Sequence, residues 1–128
     1  MRFAHTMIRV KDMDTSIAFY RDALGLDLVD HHELPGADAT LAFLKDARSG
    51  LEIELTYNHD GRDYTLGDGF GHLAFFVESV DAKYDELATK GVHFSLLPKT
   101  MKNGTRIAFA KDPTGYTIEF IEDPARAA

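Results

Sequence analysis

The sequence predicts an α+β protein built from two similar halves, and three observations predict it. Residues 5–25 read HTMIRVKDMDTSIAFYRDALG, and residues 72–91 read HLAFFVESVDAKYDELATKG. Residues 41–55, LAFLKDARSGLEIEL, are echoed by IAFAKDPTGYTIEF at 107–120. Within each copy the apolar period runs from two to the helical value of about 3.6 and back to two. Each half therefore reads as a strand, a helix, and then two or three strands.

The first strand is HTMIRV. Alternation puts His5, Met7 and Arg9 on one face and Thr6, Ile8 and Val10 on the other. KDMD follows, with Asp12 or Asp14 as helix N-cap. Ile17, Tyr20 and Leu24 form an apolar stripe, and Gly25 is placed to end the helix in the left-handed conformation. In the second half His72, Ala74 and Phe76 alternate with Leu73, Phe75 and Val77. Ser79 or Asp81 caps the second helix, Tyr84, Leu87 and Ala88 make its stripe, and Gly91 stops it. Strands then follow at LDLV, ATLAFL and LEIELTY in the first copy, and at VHFSLL, RIAFA and YTIEFI in the second. KDARSG and KDPTG are turns, marked by Asp, Pro and Gly. The polar stretch 57–71, with four glycines, is the linker, so module one covers about 1–58, the linker about 59–70 and module two about 71–124. The C-terminal DPARAA is expected to fray.

Composition bounds the function. At 128 residues the chain is one compact domain or two intimately packed half-modules. No apolar run is long enough to span a bilayer, and MRFAHTMIRV lacks the features of a signal peptide, so the expected location is the cytoplasm. With no cysteine there is neither a disulfide framework nor a thiolate metal site. A net charge of −7 argues against nucleic-acid binding, which needs a basic face. No phosphate-cradling or dinucleotide motif is present.

The repeat singles out four residues. His5 and His72 stand at equivalent points, 67 residues apart, and Glu54 and Glu119 stand at equivalent points, 65 apart. In LEIELTY, Leu51, Ile53, Leu55 and Tyr57 face the helix, and Glu52, Glu54 and Thr56 face away. In YTIEFI, Tyr116, Ile118 and Phe120 face the helix, and Glu119 shares the other side with Thr117 and Ile121. A lone strand-end His or in-strand Glu is ordinarily a surface residue of a half-exposed sheet. Having both at equivalent places in both halves points instead to one site built from two halves, with a two-His, two-Glu set of metal ligands. His31 and His32, followed by Glu33, have no echo and read as residues of a solvated loop; His59 and His93 read the same way.

The segments HTMIRV, SIAFYRDALGL, IELTYN, GFGHLAFFV and KDPTGYTIEFIE resemble glyoxalase I (lactoylglutathione lyase), of the vicinal oxygen chelate superfamily. The resemblance spans nearly the whole chain. IELTYN with GFGHLAF is specific for the lyase, whereas DPTGYTIEF is shared across the superfamily. The resemblance implies paired βαβββ modules forming a curved sheet around a metal cleft, with 1–128 as a single glyoxalase-type domain. It implies a homodimer whose sites take His5 and Glu54 from one chain and His72 and Glu119 from the other. One divalent metal per site is implied, Ni²⁺ or Co²⁺ in preference to Zn²⁺. The implied reaction isomerises the methylglyoxal–glutathione hemithioacetal to S-lactoylglutathione, by proton transfer through an enediolate, with Glu119 or Glu54 as the base. Arg9 and Asn58 match residues that hold the γ-glutamyl end of the thiol. Lys102 matches one that attracts the glycyl carboxylate, with Lys99 and Arg106 as substitutes. Longer members carry an Arg four residues before the second His; here Asp68 stands there, so the glycyl clamp differs.

Two other readings compete. Another enzyme of the superfamily, an epimerase or an extradiol dioxygenase, would share the fold, but a dioxygenase would use only two His and one carboxylate. A non-catalytic binding module would lack the metal ligands, and this chain retains all four.

Overall fold

A computed structural model describes all residues, 1–128. The chain divides into two compact units, Met1–Thr65 and Leu66–Ala128.

The first unit runs β1 (Thr6–Arg9), α1 (Met13–Ile17) continuing as a π-helical segment (Ala18–Ala23), β2 (Asp27–Leu34), β3 (Ala39–Lys45) and β4 (Glu52–Asn58). Its strands lie in the order β1-β4-β3-β2, with β1 parallel to β4 and the other pairs antiparallel. The second unit runs β5 (His72–Val77), α2 (Val80–Thr89), β6 (Phe94–Thr100), β7 (Arg106–Lys111), β8 (Thr117–Glu122) and α3 (Pro124–Ala127). Its order, β5-β8-β7-β6, repeats the first, again with one parallel pair at the edge. Each unit is therefore βαβββ, with a helix covering one face of the sheet.

Alternation builds each core. Ile8, Val10, Leu44 and Leu55 are buried in the first unit together with Tyr20 of the helical segment, and Ile118, Phe120, Val80 and Leu87 are buried in the second. Full burial of such aliphatic side chains is worth about 1.5–3 kcal/mol each. Of the cap candidates, Asp12 accepts from the Thr15 N–H at 2.8 Å, and Ser79 accepts from Ala82 at 3.2 Å. Asp14 and Asp81 lie within the first turn, two residues after the caps.

The two-residue difference in repeat spacing has two locations. His5 to His72 and Asp12 to Ser79 are each 67 apart, but Gly25 to Gly91 is 66. The extra residue is absorbed where the first helix widens into a π turn, with Leu24 N–H donating to the Phe19 carbonyl at 3.0 Å. Both helices then end on a glycine at positive φ, 81° at Gly25 and 83° at Gly91. In the second, Val92 bonds back to Leu87 and Gly91 to Ala88; in the first, Leu26 reaches Tyr20 and Gly25 reaches Arg21, the same cap widened by one residue. The widening buries both Phe19 and Tyr20 and leaves Leu24 only half-buried, so the expected stripe is displaced. The other residue lies in the turns. Asp46 to Asp112 is still 66 apart, and Gly50 to Gly115 is 65. KDARSG is thus one residue longer than KDPTG, and the strands on either side remain in register.

Three expectations need correction. Leu51 is 57% exposed and lies before β4, because its carbonyl closes the turn by accepting from Asp46 N–H at 2.9 Å. His31, His32 and Glu33 are strand residues in β2, opposite Ala42, Leu41 and Thr40 of β3, so their counterpart in the second half is β6 rather than nothing. An exposed edge strand carries polar side chains, and composition alone cannot separate it from a loop. Asn58 ends β4, pairing with Ala39. The C-terminal DPARAA is not frayed: Asp123 caps α3 by accepting from Arg126 N–H at 3.1 Å, and the Arg126 guanidinium lies 5.1 Å from the centre of the Phe76 ring.

Candidate metal centre

Register builds a His–Glu pair in each unit. His5 immediately precedes β1, whose Met7 stands opposite Glu54 of β4. His72 opens β5, whose Ala74 stands opposite Glu119 of β8. In both, the His lies two residues before the Glu's partner, so imidazole and carboxylate emerge on the same sheet face. His5 Nε2 is 3.9 Å from Glu54 Oε1, and His72 Nε2 is 3.2 Å from Glu119 Oε1. The carboxylates are mostly enclosed, at 14% and 15% side-chain exposure, and the imidazoles are more open, at 37% and 40%.

Each pair rests on a phenylalanine. Phe43 stands opposite Glu54 and Phe109 opposite Glu119 in the neighbouring strand. The His5 ring meets Phe43 edge-on at 5.4 Å between centroids, and His72 tilts against Phe109 at 5.7 Å. These phenylalanines were legible as the repeated AF step of LAFLKD and IAFAKD, but only the register shows that they support the histidines.

The donor set fits a hard or borderline divalent cation. Two ligands about 2.1 Å from one ion, at right angles, stand about 3 Å apart. The second pair is already near that separation, and the first is somewhat wider. Neither unit by itself brings three such donors together.

The two half-sites are not identical. Thr56, two residues after Glu54, donates its hydroxyl to Glu54 Oε2 at 3.2 Å, so one carboxylate oxygen is held while the other faces His5. Thr56 is buried, although strand alternation puts it on the face away from the helix. The corresponding position after Glu119 is Ile121, which offers no hydroxyl. His32, expected to be free in solvent, stacks with Phe43 at 6.4 Å and an interplanar angle of 9°, with Nδ1 3.1 Å from Asp30.

Of the residues matched to substrate recognition, Arg9 is exposed at the end of β1, opposite Thr56. Asn58 shares the Glu54–Thr56 face by alternation, and Tyr64 donates its hydroxyl to Asn58 Oδ1 at 3.0 Å. Lys102 is exposed in the turn between β6 and β7, and Lys99 is exposed on β6. Arg106 is not available as a substitute. Its guanidinium bonds both Asp81 oxygens, at 2.7 and 2.8 Å, and this pairing holds Asp81 below the usual carboxylate range. Asp68 lies exposed in the turn before β5.

His59 is not merely solvated. Nδ1 is 3.1 Å from Asp38, and Nε2 is 3.2 Å from Glu33 and 2.7 Å from Thr40 Oγ1. The ring ties the end of β4 to the β2–β3 hairpin, a contact across about twenty residues that no local pattern announces. His93 is exposed, as expected.

Comparison with known proteins accords with this fold. Residues 2–120 match the model of the Glyoxalase/Bleomycin resistance protein/Dioxygenase superfamily. A probable lactoylglutathione lyase of Synechocystis is 42% identical over 98% of this chain and 98% of its own. The lactoylglutathione lyase of Haemophilus influenzae is 44% identical over 96% of this chain and 93% of its own. Among solved structures, glyoxalase I of Zea mays superposes with a TM-score of 0.88 at 35% identity, covering 95% of this chain and 44% of the maize chain. The trypanothione-dependent glyoxalase I of Leishmania major superposes with a TM-score of 0.82 at 34% identity, over 98% of this chain and 89% of its own. With the repeated βαβββ topology and this full-length similarity, the chain belongs to the Glyoxalase/Bleomycin resistance protein/Dioxygenase superfamily.

Proposed function

We propose that the protein is a lactoylglutathione lyase, and that units one and two act together as a single glyoxalase-type domain. The observation that carries the reading is the pair of matching half-sites, His5–Glu54 and His72–Glu119, in a chain more than 40% identical to lactoylglutathione lyases over nearly its full length. These four residues hold one divalent ion, Ni²⁺ or Co²⁺ in preference to Zn²⁺. Because each unit supplies two donors, the complete set needs a unit of each kind. A homodimer provides it by combining the first unit of one chain with the second unit of the other. The cytoplasm is the proposed compartment; no helix is long and apolar enough to cross a membrane.

The substrate is the hemithioacetal of methylglyoxal with glutathione or a related thiol. In the reaction the C–H bond beside sulfur breaks and a C–H bond forms on the adjacent carbon. The first carbon ends as the thioester carbonyl and the second as the alcohol, so atoms balance without a redox partner. The ion supplies Lewis-acid stabilisation of the oxyanion that develops as the proton leaves. A carboxylate must take that proton and return it one carbon away. Glu119, with no hydroxyl at the equivalent of Thr56, has the freer carboxylate and is the first candidate for the base; Glu54 is the second. Arg9 and Asn58 receive the γ-glutamyl end of the thiol, and Lys102 attracts the glycyl carboxylate.

The test is reconstitution. Metal-free protein loaded in turn with Ni²⁺, Co²⁺, Zn²⁺ or Mn²⁺ should form thioester from methylglyoxal, followed by absorbance, with glutathione and trypanothione as the compared thiols. Alanine at His5, Glu54, His72 or Glu119 should lower metal content and activity together, while His31→Ala should do neither. Full metal content in Glu54→Ala would remove Glu54 from the ligand set and favour a three-ligand enzyme of the same superfamily.

A further inference from the structure

The outer face of β4 forms a row. Glu54, Thr56 and Asn58 alternate along one side, each about 7 Å from the next. Arg9 stands opposite Thr56 on β1, so a guanidinium flanks the middle of the row, with the amide at one end and the metal-binding carboxylate at the other. A guanidinium is donor-only, but an asparagine amide can turn either its oxygen or its nitrogen outward. Recognition of a carboxylate needs the nitrogen outward, and something must hold it so.

We propose that Tyr64 is a positioning residue for substrate recognition: its hydroxyl engages Asn58 Oδ1, so that this end of the site offers N–H donors and selects a carboxylate over an ammonium group. The inference rests on the reading that Arg9 and Asn58 receive the γ-glutamyl end of the thiol. Three contacts support it. The phenol–amide bond is 3.0 Å long, and both residues are half-buried, so the bond is partly shielded from water. Next to Tyr64, Asp63 pairs with Lys11 at 3.1 Å, which ties the segment after β4 to the end of β1. Next to Asn58, the His59 N–H donates to the Asp38 carbonyl at 3.0 Å and its ring bridges Asp38 and Glu33. The backbone on each side of the Asn58–Tyr64 pair is therefore anchored, and the remaining freedom is rotation of the amide, which the phenol removes. Without it the amide can turn Oδ1 outward and face the substrate's carboxylate with a lone pair.

The test compares Tyr64→Phe, Asn58→Ala and the double variant in the metal-loaded protein. Calorimetry reads Kd for S-methylglutathione and for S-methylcysteinylglycine, which carries an ammonium where the γ-glutamyl group would be; kinetics read KM and kcat. Tyr64→Phe should weaken S-methylglutathione roughly 3- to 10-fold, the worth of one neutral hydrogen bond, and raise KM in step. Its kcat and its affinity for S-methylcysteinylglycine should change less than about twofold. The double variant should bind S-methylglutathione no more weakly than Asn58→Ala. If Asn58→Ala weakens binding and Tyr64→Phe does not, the positioning role is overturned while the substrate reading stands. Losses that add in the double variant, or that fall equally on both ligands, overturn it also. If Asn58→Ala changes neither ligand, the reading of Asn58 as a substrate contact fails, and the proposal fails with it.

Discussion

Asp112→Ala tests whether one buried carboxylate sets the turn that carries the second half-site. Asp112 is 5% exposed, and its Oδ1 accepts from the N–H groups of Thr114, Gly115 and Tyr116 at 2.9, 2.9 and 2.8 Å. The Gly115 N–H also reaches the Asp112 carbonyl at 3.0 Å, so truncation deprives two donors, on Thr114 and Tyr116, of this acceptor. A hydrogen bond to a charged group is worth about 1.5–3 kcal/mol, and two are lost, from donors that are half-buried. The expected loss is about 3–5 kcal/mol, a large part of the stability of a typical domain. Asp112→Asn keeps an acceptor oxygen and loses only the charge, so it should cost about 1–2 kcal/mol. Glu119 lies three residues beyond Tyr116, in the register that pairs it with Phe109. Metal affinity should therefore fall in Asp112→Ala, because the turn that sets that register is loosened. The assay is urea unfolding followed by circular dichroism, with Kd for Zn²⁺ measured by chelator competition. A loss below about 1 kcal/mol for Asp112→Ala would show that the turn is held by its backbone geometry and that the carboxylate account is wrong.

Three further outcomes follow from the geometry. Thr56→Val removes the hydroxyl on Glu54 Oε2 with little change of shape and should weaken metal binding several-fold by chelator competition, whereas Thr56→Ser should restore it; an unchanged affinity in the valine variant would make the contact incidental. Mixing inactive His5→Ala with inactive Glu119→Ala and allowing random exchange should recover about a quarter of wild-type activity, since half the dimers are mixed and each has one intact site of two; no recovery after verified exchange would mean that sites form within one chain. Asp12 is held below the ordinary carboxylate range by the Thr15 N–H and then its hydroxyl, Asp46 by the Ser49 hydroxyl, and Asp81 by the Arg106 guanidinium. Depressed folded values place their stabilisation above the unfolded value of about 4, to be lost as pH falls through the folded values, so the melting temperature should hold above about pH 5 and drop below about pH 4. A profile flat down to about pH 3 would refute this contribution.

Much of the candidate site was legible because the chain states it twice. One His at a strand start and one Glu within a strand are common surface residues, but their recurrence at matched points, with strand alternation, put all four on faces away from the helices. The same comparison shows where the halves diverge, in a π turn and a longer hairpin turn, each of which takes up one residue without disturbing the strands. The failures came at edges and contacts. β2 is an exposed edge strand, so its side chains are polar and HHE read as loop. Leu51 looked like core because it extends the alternation of β4 back into the turn that precedes the strand.

The sequence by itself determined the repeated βαβββ order, the glycine stops, and the His–Glu pair of each half, and it narrowed each helix cap to two candidates, because each follows from periodicity or from signals acting over three or four residues. Only the tertiary structure decided what surrounds those residues. Phe43 and Phe109 beneath the histidines depend on strand register, and the pairing of Arg106 with Asp81, 25 residues away, depends on how α2 lies against the start of β7. His59 meets Glu33 and Asp38 only because the β2–β3 hairpin brings its own tip to the end of β4. Tyr64 reaches Asn58 because the segment after β4 folds back toward the sheet and is tied to β1 through Asp63 and Lys11. Contacts of this kind join residues whose spacing has no period, so they arise from how the chain closes on itself and leave no mark along it.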